Sequence, residues 1–219
     1  MNPARRTYAQ HCGLARALDV VGERWTLLVV RDLLLGPRRY GDLLASLEGI
    51  TTNLLAKRLK ELVVEGLVER RKLPPPASSD VYALTDAGRA LEPVVMELAR
   101  WGGRYLAHPR KGDRMDIGWA LLSMKRRYRG GERFVAELAV GPLPRSFTLT
   151  LEPGKLGVEE RAEPRADLAV RARDQEALFD VLFRDVPAEK LERGGVLEFS
   201  RGKELWGAFL LAFFAPRPA

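Results

Sequence analysis

The sequence predicts an α+β chain in two domains. The first is mainly helical with one β-hairpin, and the second is a mostly antiparallel or mixed sheet packed by helices. Three observations predict it. Up to His108 the apolar residues recur with a period of about 3.6, broken by a single pair of strand-like runs. A Pro/Gly/basic stretch, Ala107–Gly112, then reads as a linker. Beyond it come short β-type runs separated by Gly-Pro, Pro-Gly and Glu-Pro pairs. The domain limits this implies are 1–108 and 113–219.

Each element of the first domain has a local cause. A helix is predicted over Leu14–Val21 and a second over Arg24–Leu35. Gly36-Pro37 ends the second, because proline cannot continue an upstream helix and glycine tolerates the cap conformation. A third helix, Arg39–Leu47, runs into the tight turn Glu48-Gly49-Ile50. Thr51 offers a side-chain oxygen as N-cap to a fourth helix that reaches about Glu65 and stops at Gly66. Strands Leu67–Leu73 and Val81–Leu84 flank the tip Pro-Pro-Pro-Ala-Ser-Ser. Thr85 then caps one long helix to Tyr105, with Leu91, Val94, Val95, Leu98, Trp101 and Tyr105 on one face and a kink at Pro93. This order, helix-helix-turn-helix-hairpin-helix, is that of a winged helix-turn-helix.

The fourth helix carries the candidate chemistry. At about 100° per residue, Leu55, Leu59 and Leu62 share the core side. Asn53, Ala56, Lys57 and Lys60 share the opposite side at i, i+3, i+4 and i+7. An amide can pair with adenine, lysines can donate to guanine acceptors, and a small residue allows close approach in a major groove. Thr51 and Thr52 lie at the helix N-terminus, where hydroxyls and free N–H groups can hold a phosphate. The same stripe also fits a merely solvated face, so its neighbours matter. Arg70, Arg71 and Lys72 on the hairpin and Arg38-Arg39 before the third helix supply the flanking cations that backbone anchoring requires.

The segment from Cys12 to Tyr40 resembles the HxlR-type winged-helix regulators, relatives of the MarR group. So do Thr51…Leu55-x-x-Arg58-Leu59-Lys60-Glu61-Leu62, Gly66–Arg70 and Tyr82-x-Leu84-Thr85-x-x-Gly88. The resemblance covers about residues 8–106 and departs only mildly, with Thr52 where the family often has proline. It implies a homodimer, held by the N-terminal helix and the long C-terminal helix, that binds a pseudo-palindromic double-stranded DNA operator. It also implies a position for a cysteine that senses oxidants or electrophiles in some members, and Cys12 matches it. A sensor needs access and a nearby cation or helix N-terminus, which Arg16 and the predicted helix start supply. The packing alternative is the expectation here, since free cysteines are commonly buried.

In the second domain a helix is predicted over Asp116–Tyr128, strands over Phe134–Val140, Ser146–Glu152, Leu156–Glu160 and Ala166–Arg171, and a helix over Asp174–Phe183. A last strand, Val196–Ser200, and a last helix, Lys203–Phe214, follow. The runs Ala166–Ala172, Phe179-x-x-Leu182 and Gly195–Gly202 with the apolar end helix resemble, loosely, the sterol-carrier-protein type of lipid-binding domain. That resemblance implies an apolar small-molecule site between sheet and helices. Trp119, Leu122, Phe147, Phe179, Phe183, Trp206 and Phe209 are the candidates to line it, though the same residues also suit a filled core.

Composition bounds the rest. The net charge of +7 is spread evenly, with sixteen Lys/Arg against twelve Asp/Glu up to His108 and twenty against seventeen after it. Charge therefore permits polyanion binding without placing it. One cysteine excludes an internal disulfide and, with two histidines, leaves no metal centre or cofactor to expect. No nucleophile elbow, phosphate loop or dinucleotide fingerprint is present, so an enzyme is not expected. No apolar run is long enough for a bilayer, and the start lacks a secretory signal, which reads as cytoplasmic with no membrane partner. The competing function is a hydrophobic-ligand carrier whose winged scaffold binds no DNA.

Overall fold

The computed structural model describes residues 7–73, 79–106, 110–142 and 145–214, and the chain divides into two units, Met1–Arg104 and Tyr105–Ala219. Most of the hairpin tip (74–78) and the start of the linker stretch (107–109) lie outside the described residues.

In the first unit α1 (Gly13–Val21) is followed by α2 (Thr26–Leu34), α3 (Tyr40–Ser46) and α4 (Thr52–Val64). The second helix starts two residues later than predicted. Trp25 takes the left-handed conformation (φ 79°) and acts as N-cap, its carbonyl accepting from Val29 N–H at 2.9 Å. Val29, Val30, Leu33, Leu35, Leu43 and Leu55 are fully enclosed, the apolar faces of α2, α3 and α4 meeting in one core. Asp32 is buried with them, 2.8 Å from Arg31 Nη2 and 2.5 Å from the Ser46 hydroxyl that donates to it. A buried carboxylate is tolerable only when so partnered, and this one ties α2 to the end of α3.

The hairpin pairs β1 (Val68–Lys72) with β2 (Asp80–Leu84) antiparallel. The single long helix predicted after it is two: α5 (Asp86–Arg89) and α6 (Glu92–Gly102), with a 3-10 turn over Gly103–Tyr105. Thr85 caps only α5, accepting from Gly88 N–H at 3.1 Å while its hydroxyl donates to Gly66 O at 2.6 Å. Pro93 sits in the first turn of α6, where its missing N–H costs nothing, so it opens a helix rather than kinking one. Gly88 permits a close approach: a Cβ there would stand 2.0 Å from the Leu67 carbonyl oxygen.

In the second unit α7 (Ile117–Met124) is capped by Asp116, which accepts from Gly118 N–H at 2.8 Å. Its five strands are β3 (Phe134–Val140), β4 (Arg145–Glu152), β5 (Lys155–Glu159), β6 (Leu168–Ala172) and β7 (Leu197–Arg201), in the order β5-β4-β3-β6-β7. Only β3 and β6 pair in parallel, so the sheet is mixed. The α+β class predicted from sequence is the observed one. Between β6 and β7 lie α8 (Gln175–Phe183), capped by Asp174, and α9 (Ala188–Arg193). Sequence periodicity misses α9 because Ala188 is its only buried residue. The last predicted helix is a 3-10 turn over Lys203–Leu205 followed by the short α10 (Trp206–Leu211). Aromatic contacts fasten it to the sheet: Phe199 meets Trp206 edge-on at 5.4 Å, and Trp206 stacks on Phe209 at 5.3 Å. Among the described residues no helix is long and apolar enough to cross a membrane.

Candidate nucleic-acid interface

Helix α4 is held from behind and open in front. Thr51 caps it by accepting from Leu54 N–H at 3.3 Å, and Tyr40 on α3 donates its hydroxyl to Thr52 O at 2.7 Å. Leu55, Leu59 and Leu62 are no more than 1% exposed. Thr51, Thr52, Asn53, Ala56, Lys57 and Lys60 are all exposed. The stripe predicted from the helical period therefore faces outward as one surface. Among the described residues neither Lys57 nor Lys60 is held in an ion pair, which leaves both ammonium groups available.

Sequence reasoning missed the most constrained residue of this helix. Arg58 occupies a core-side position, one turn after Leu55, with its side chain only 7% exposed. It donates to Glu23 at 2.6 Å, to Glu61 at 2.5 Å and to the Arg24 carbonyl at 3.2 Å. The signal was present in the sequence, since a cation on an apolar stripe needs carboxylate partners. The clamp fixes α4 against the α1–α2 turn. The same turn reaches forward again at Trp25, whose ring lies 3.8 Å from where a Cβ on Gly49 (φ +89°) would be. Back and entry of α4 are thus both set by residues 23–25.

The flanking cations come where the winged arrangement puts them, but they are less free than predicted. Arg38 joins the hairpin through its backbone, its N–H donating to Tyr82 O at 2.9 Å and its carbonyl accepting from Tyr82 N–H at 2.8 Å. Arg39 donates from Nε to the Ser79 hydroxyl at 3.0 Å, linking the start of α3 to the returning strand. On β1, Arg70, Arg71 and Lys72 are all exposed. Arg70, however, pairs with Asp80 at 2.8 Å, which holds its guanidinium even more firmly protonated than usual. Arg71 faces Glu69 at 3.9 Å. The wing is therefore a mixed-charge strand with a small positive excess, not a row of three free cations.

The residues singled out elsewhere are placed as follows. Cys12 is exposed and stands as the extended residue just before α1, which corrects the expectation of a buried packing residue. It is exposed because α1 buries only Ala15 and Val21. Arg16, one turn on, lies 3.7 Å from Asp19. Of the seven candidate lining residues, Leu122, Phe147 and Phe209 are in the solid core at 1% exposure or less. Phe179 packs on Phe183 at 5.7 Å, and Trp119 and Phe183 are half-buried. Of the seven, only Trp206 lines a groove of about 720 Å³ between α8, α9 and α10. The structure does not gather the seven around one cavity, because a sheet-facing aromatic at this density fills its own space.

A family profile described as HxlR-like helix-turn-helix matches residues 20–110. An uncharacterized HTH-type transcriptional regulator of Mycobacterium bovis is 43% identical over 96 residues, 44% of this chain and 60% of that protein. This chain thus spans about 60% of the length of that relative. An uncharacterized HTH-type transcriptional regulator of Bacillus subtilis, YvaP, is 36% identical over 91 residues, 42% of this chain and 84% of that protein. Among solved structures, the reduced form of the transcriptional regulator YodB from Bacillus subtilis is 32% identical, covering 48% of this chain and 100% of that one with a TM-score of 0.39.

Proposed function

This chain belongs to the HxlR-like helix-turn-helix family, and from that premise we propose that it is a sequence-specific DNA-binding transcriptional regulator acting as a homodimer. One observation carries the reading: Asn53, Ala56, Lys57 and Lys60 form a continuous exposed stripe on a helix whose back is locked by leucines and Arg58. In a major groove such a helix loses little freedom on binding, and its amide and ammonium groups reach base edges. Thr51, Thr52, Arg38, Arg39, Arg71 and Lys72 are proposed as phosphate contacts that set register, with Arg70 contributing only when Asp80 releases it.

The dimer is supported by apolar surface that a single chain leaves wet. Leu14 and Leu18 on α1 are 70% and 39% exposed, and Val94, Leu98 and Trp101 on α6 are 52%, 49% and 53% exposed. An apolar face of this extent marks an interaction site. Exposure of Cys12 beside that α1 surface favours a second control, in which its oxidation alters operator affinity. The second unit is proposed as an effector domain of sterol-carrier resemblance, binding an apolar molecule that shifts the DNA-competent population. A carrier without DNA binding has no use for the free lysine stripe.

The deciding experiment is selection of bound duplexes from a random library, followed by titration of the enriched site. Replacing Lys57 and Lys60 together by alanine should weaken that site at least tenfold with the melting temperature unchanged. Enrichment of no duplex would remove the regulator reading, and so would binding indifferent to both lysines. For Cys12, diamide treatment that modifies the thiol and leaves operator affinity unaltered would refute redox control.

A further inference from the structure

Between α7 and β3 of the second unit, residues 125–133 read Lys-Arg-Arg-Tyr-Arg-Gly-Gly-Glu-Arg. This loop is pinned along its length. Tyr128 donates its hydroxyl to Glu152 O at 2.8 Å, and its ring meets that of Phe213 at 5.6 Å. Arg129 N–H donates to Ala212 O at 2.8 Å. A Cβ on Gly130 (φ +91°) would stand 3.9 Å from Gly154 N, and one on Gly131 would stand 3.7 Å from the Ala212 Cβ. The loop is thus seated between the β4–β5 turn and the end of α10, its backbone fixed before any partner arrives.

Fixing the backbone leaves the charges outside. Arg126, Arg127, Arg129 and Arg133 are exposed, and so is Lys155 on the adjoining β4–β5 turn. Two carboxylates belong to the same surface: Glu132 in the loop itself, and Glu152, which pairs with Arg133. Arg126 donates from Nε to Ser123 O at 3.4 Å and keeps its two Nη groups for other partners. Among the described residues the guanidinium groups of Arg127 and Arg129 meet no carboxylate. Other arginines of this unit are used differently, since Arg145, Arg161 and Arg184 each engage two carboxylates. A local excess of cations repels itself unless an anion covers it.

Arginine forks match phosphate oxygens in two-pronged geometry. The loop presents no exposed apolar side chain that could enter a bilayer, because Tyr128 is packed against Phe213. Duplex DNA offers phosphates in a continuous row, and on the regulator reading the first unit already holds the chain on a duplex. A tethered basic loop then meets neighbouring phosphates at high effective concentration. We propose that the 126–129 loop is a second, sequence-independent DNA contact of this protein, binding backbone phosphates beside the operator. The proposal rests on the regulator reading and extends it to the second unit.

The full-length protein tests it against its selected operator made in two lengths, minimal and with about 15 bp of arbitrary sequence on each side. The flanked duplex should bind at least tenfold tighter, whatever the flanking sequence, and with a steeper salt slope. Arg126→Ala, Arg127→Ala and Arg129→Ala together should abolish that gain and flatten the slope on the flanked duplex by about two units or more. Affinity for the minimal operator and the melting temperature should stay as in the parent. Lysine at the same three positions should keep most of the gain, since the charge is retained. Flanks that add nothing, a gain that depends on their sequence, or a gain that survives the alanine variant overturns the proposal. So does binding of phosphatidylserine vesicles through these arginines by a protein indifferent to flanks, which would assign the loop to a membrane. In each of those failures the minimal operator is still bound, whereas a protein that binds no duplex defeats the regulator reading itself.

Discussion

Two arginines of the first unit show how burial decides what a guanidinium is for. Arg58, held by Glu23, Glu61 and the Arg24 carbonyl through three of its five N–H groups and only 7% exposed, is not accessible to a phosphate. Its replacement by methionine leaves two carboxylates behind, but Glu23 is 48% exposed and Glu61 27%, so both can rehydrate. The cost in stability is then about 1–3 kcal/mol, below that of stripping a fully buried pair. Operator affinity should fall further than stability at saturating protein, because α4 loses its fixed tilt; chemical denaturation alongside DNA titration separates the two. Arg70 is the opposite case. It is exposed and paired with Asp80, so Asp80→Ala should free it, strengthen binding to any duplex and steepen the salt slope by about one unit. Arg71→Ala should flatten that slope by about the same amount. A slope that ignores both substitutions would place the wing off the DNA.

At the level of elements, the helices and strands were legible wherever one face meets the core. The α4 period needed only Leu55, Leu59 and Leu62 to set its face, and β3 spans Phe134 to Val140, the limits of the strand-like run. What escaped were elements whose cause lies outside themselves. The seating of α5 against the start of the hairpin depends on Gly88 fitting under the Leu67 carbonyl, a contact from another part of the chain. Gly88→Ala should cost about 3 kcal/mol, the upper part of the overpacking range, since backbone on both sides cannot yield. A melting temperature within a degree of the parent would contradict this. Helix α6 carries the surface proposed for dimerisation. Leu98→Glu should turn the dimer into a monomer in sedimentation and weaken a two-half-site operator far more than a single half-site. The candidate site divides the same way. The exposed stripe of α4 follows from helical geometry, whereas pairing of Arg70 by Asp80 depends on hairpin register, and the groove depends on how α10 packs.

For the whole molecule, acid acts on an identifiable ion-pair cluster of the second unit. In the second unit Arg145 joins Asp116, the cap of α7, at 2.8 Å and Glu160 at 3.0 Å, with its guanidinium over the Phe147 ring. Burial pushes the Asp116 carboxyl up, but the Arg145 hydrogen bond and charge, with the Gly118 and Trp119 N–H groups, outweigh it and hold the group below the usual carboxylate range. A carboxylate with a depressed folded pKa stabilises the fold fully above its unfolded value, about 3.9, and loses that contribution as pH falls through the folded value. The second unit should therefore keep this contribution at neutral pH and lose it only in strong acid. Arg145→Gln removes the largest lowering causes while burial and the Gly118 and Trp119 N–H groups remain, so the Asp116 carboxyl should rise. The variant should then gain less stability than the parent as pH climbs through the carboxylate range. Thermal melts from pH 3 to 7 read this directly, provided the transition of the second unit is followed by its own tryptophans, Trp119 and Trp206, with Trp25 and Trp101 replaced by phenylalanine. Parallel curves for parent and Arg145→Gln would show that the arginine bridges α7 and the sheet mechanically and contributes nothing through the charge of Asp116.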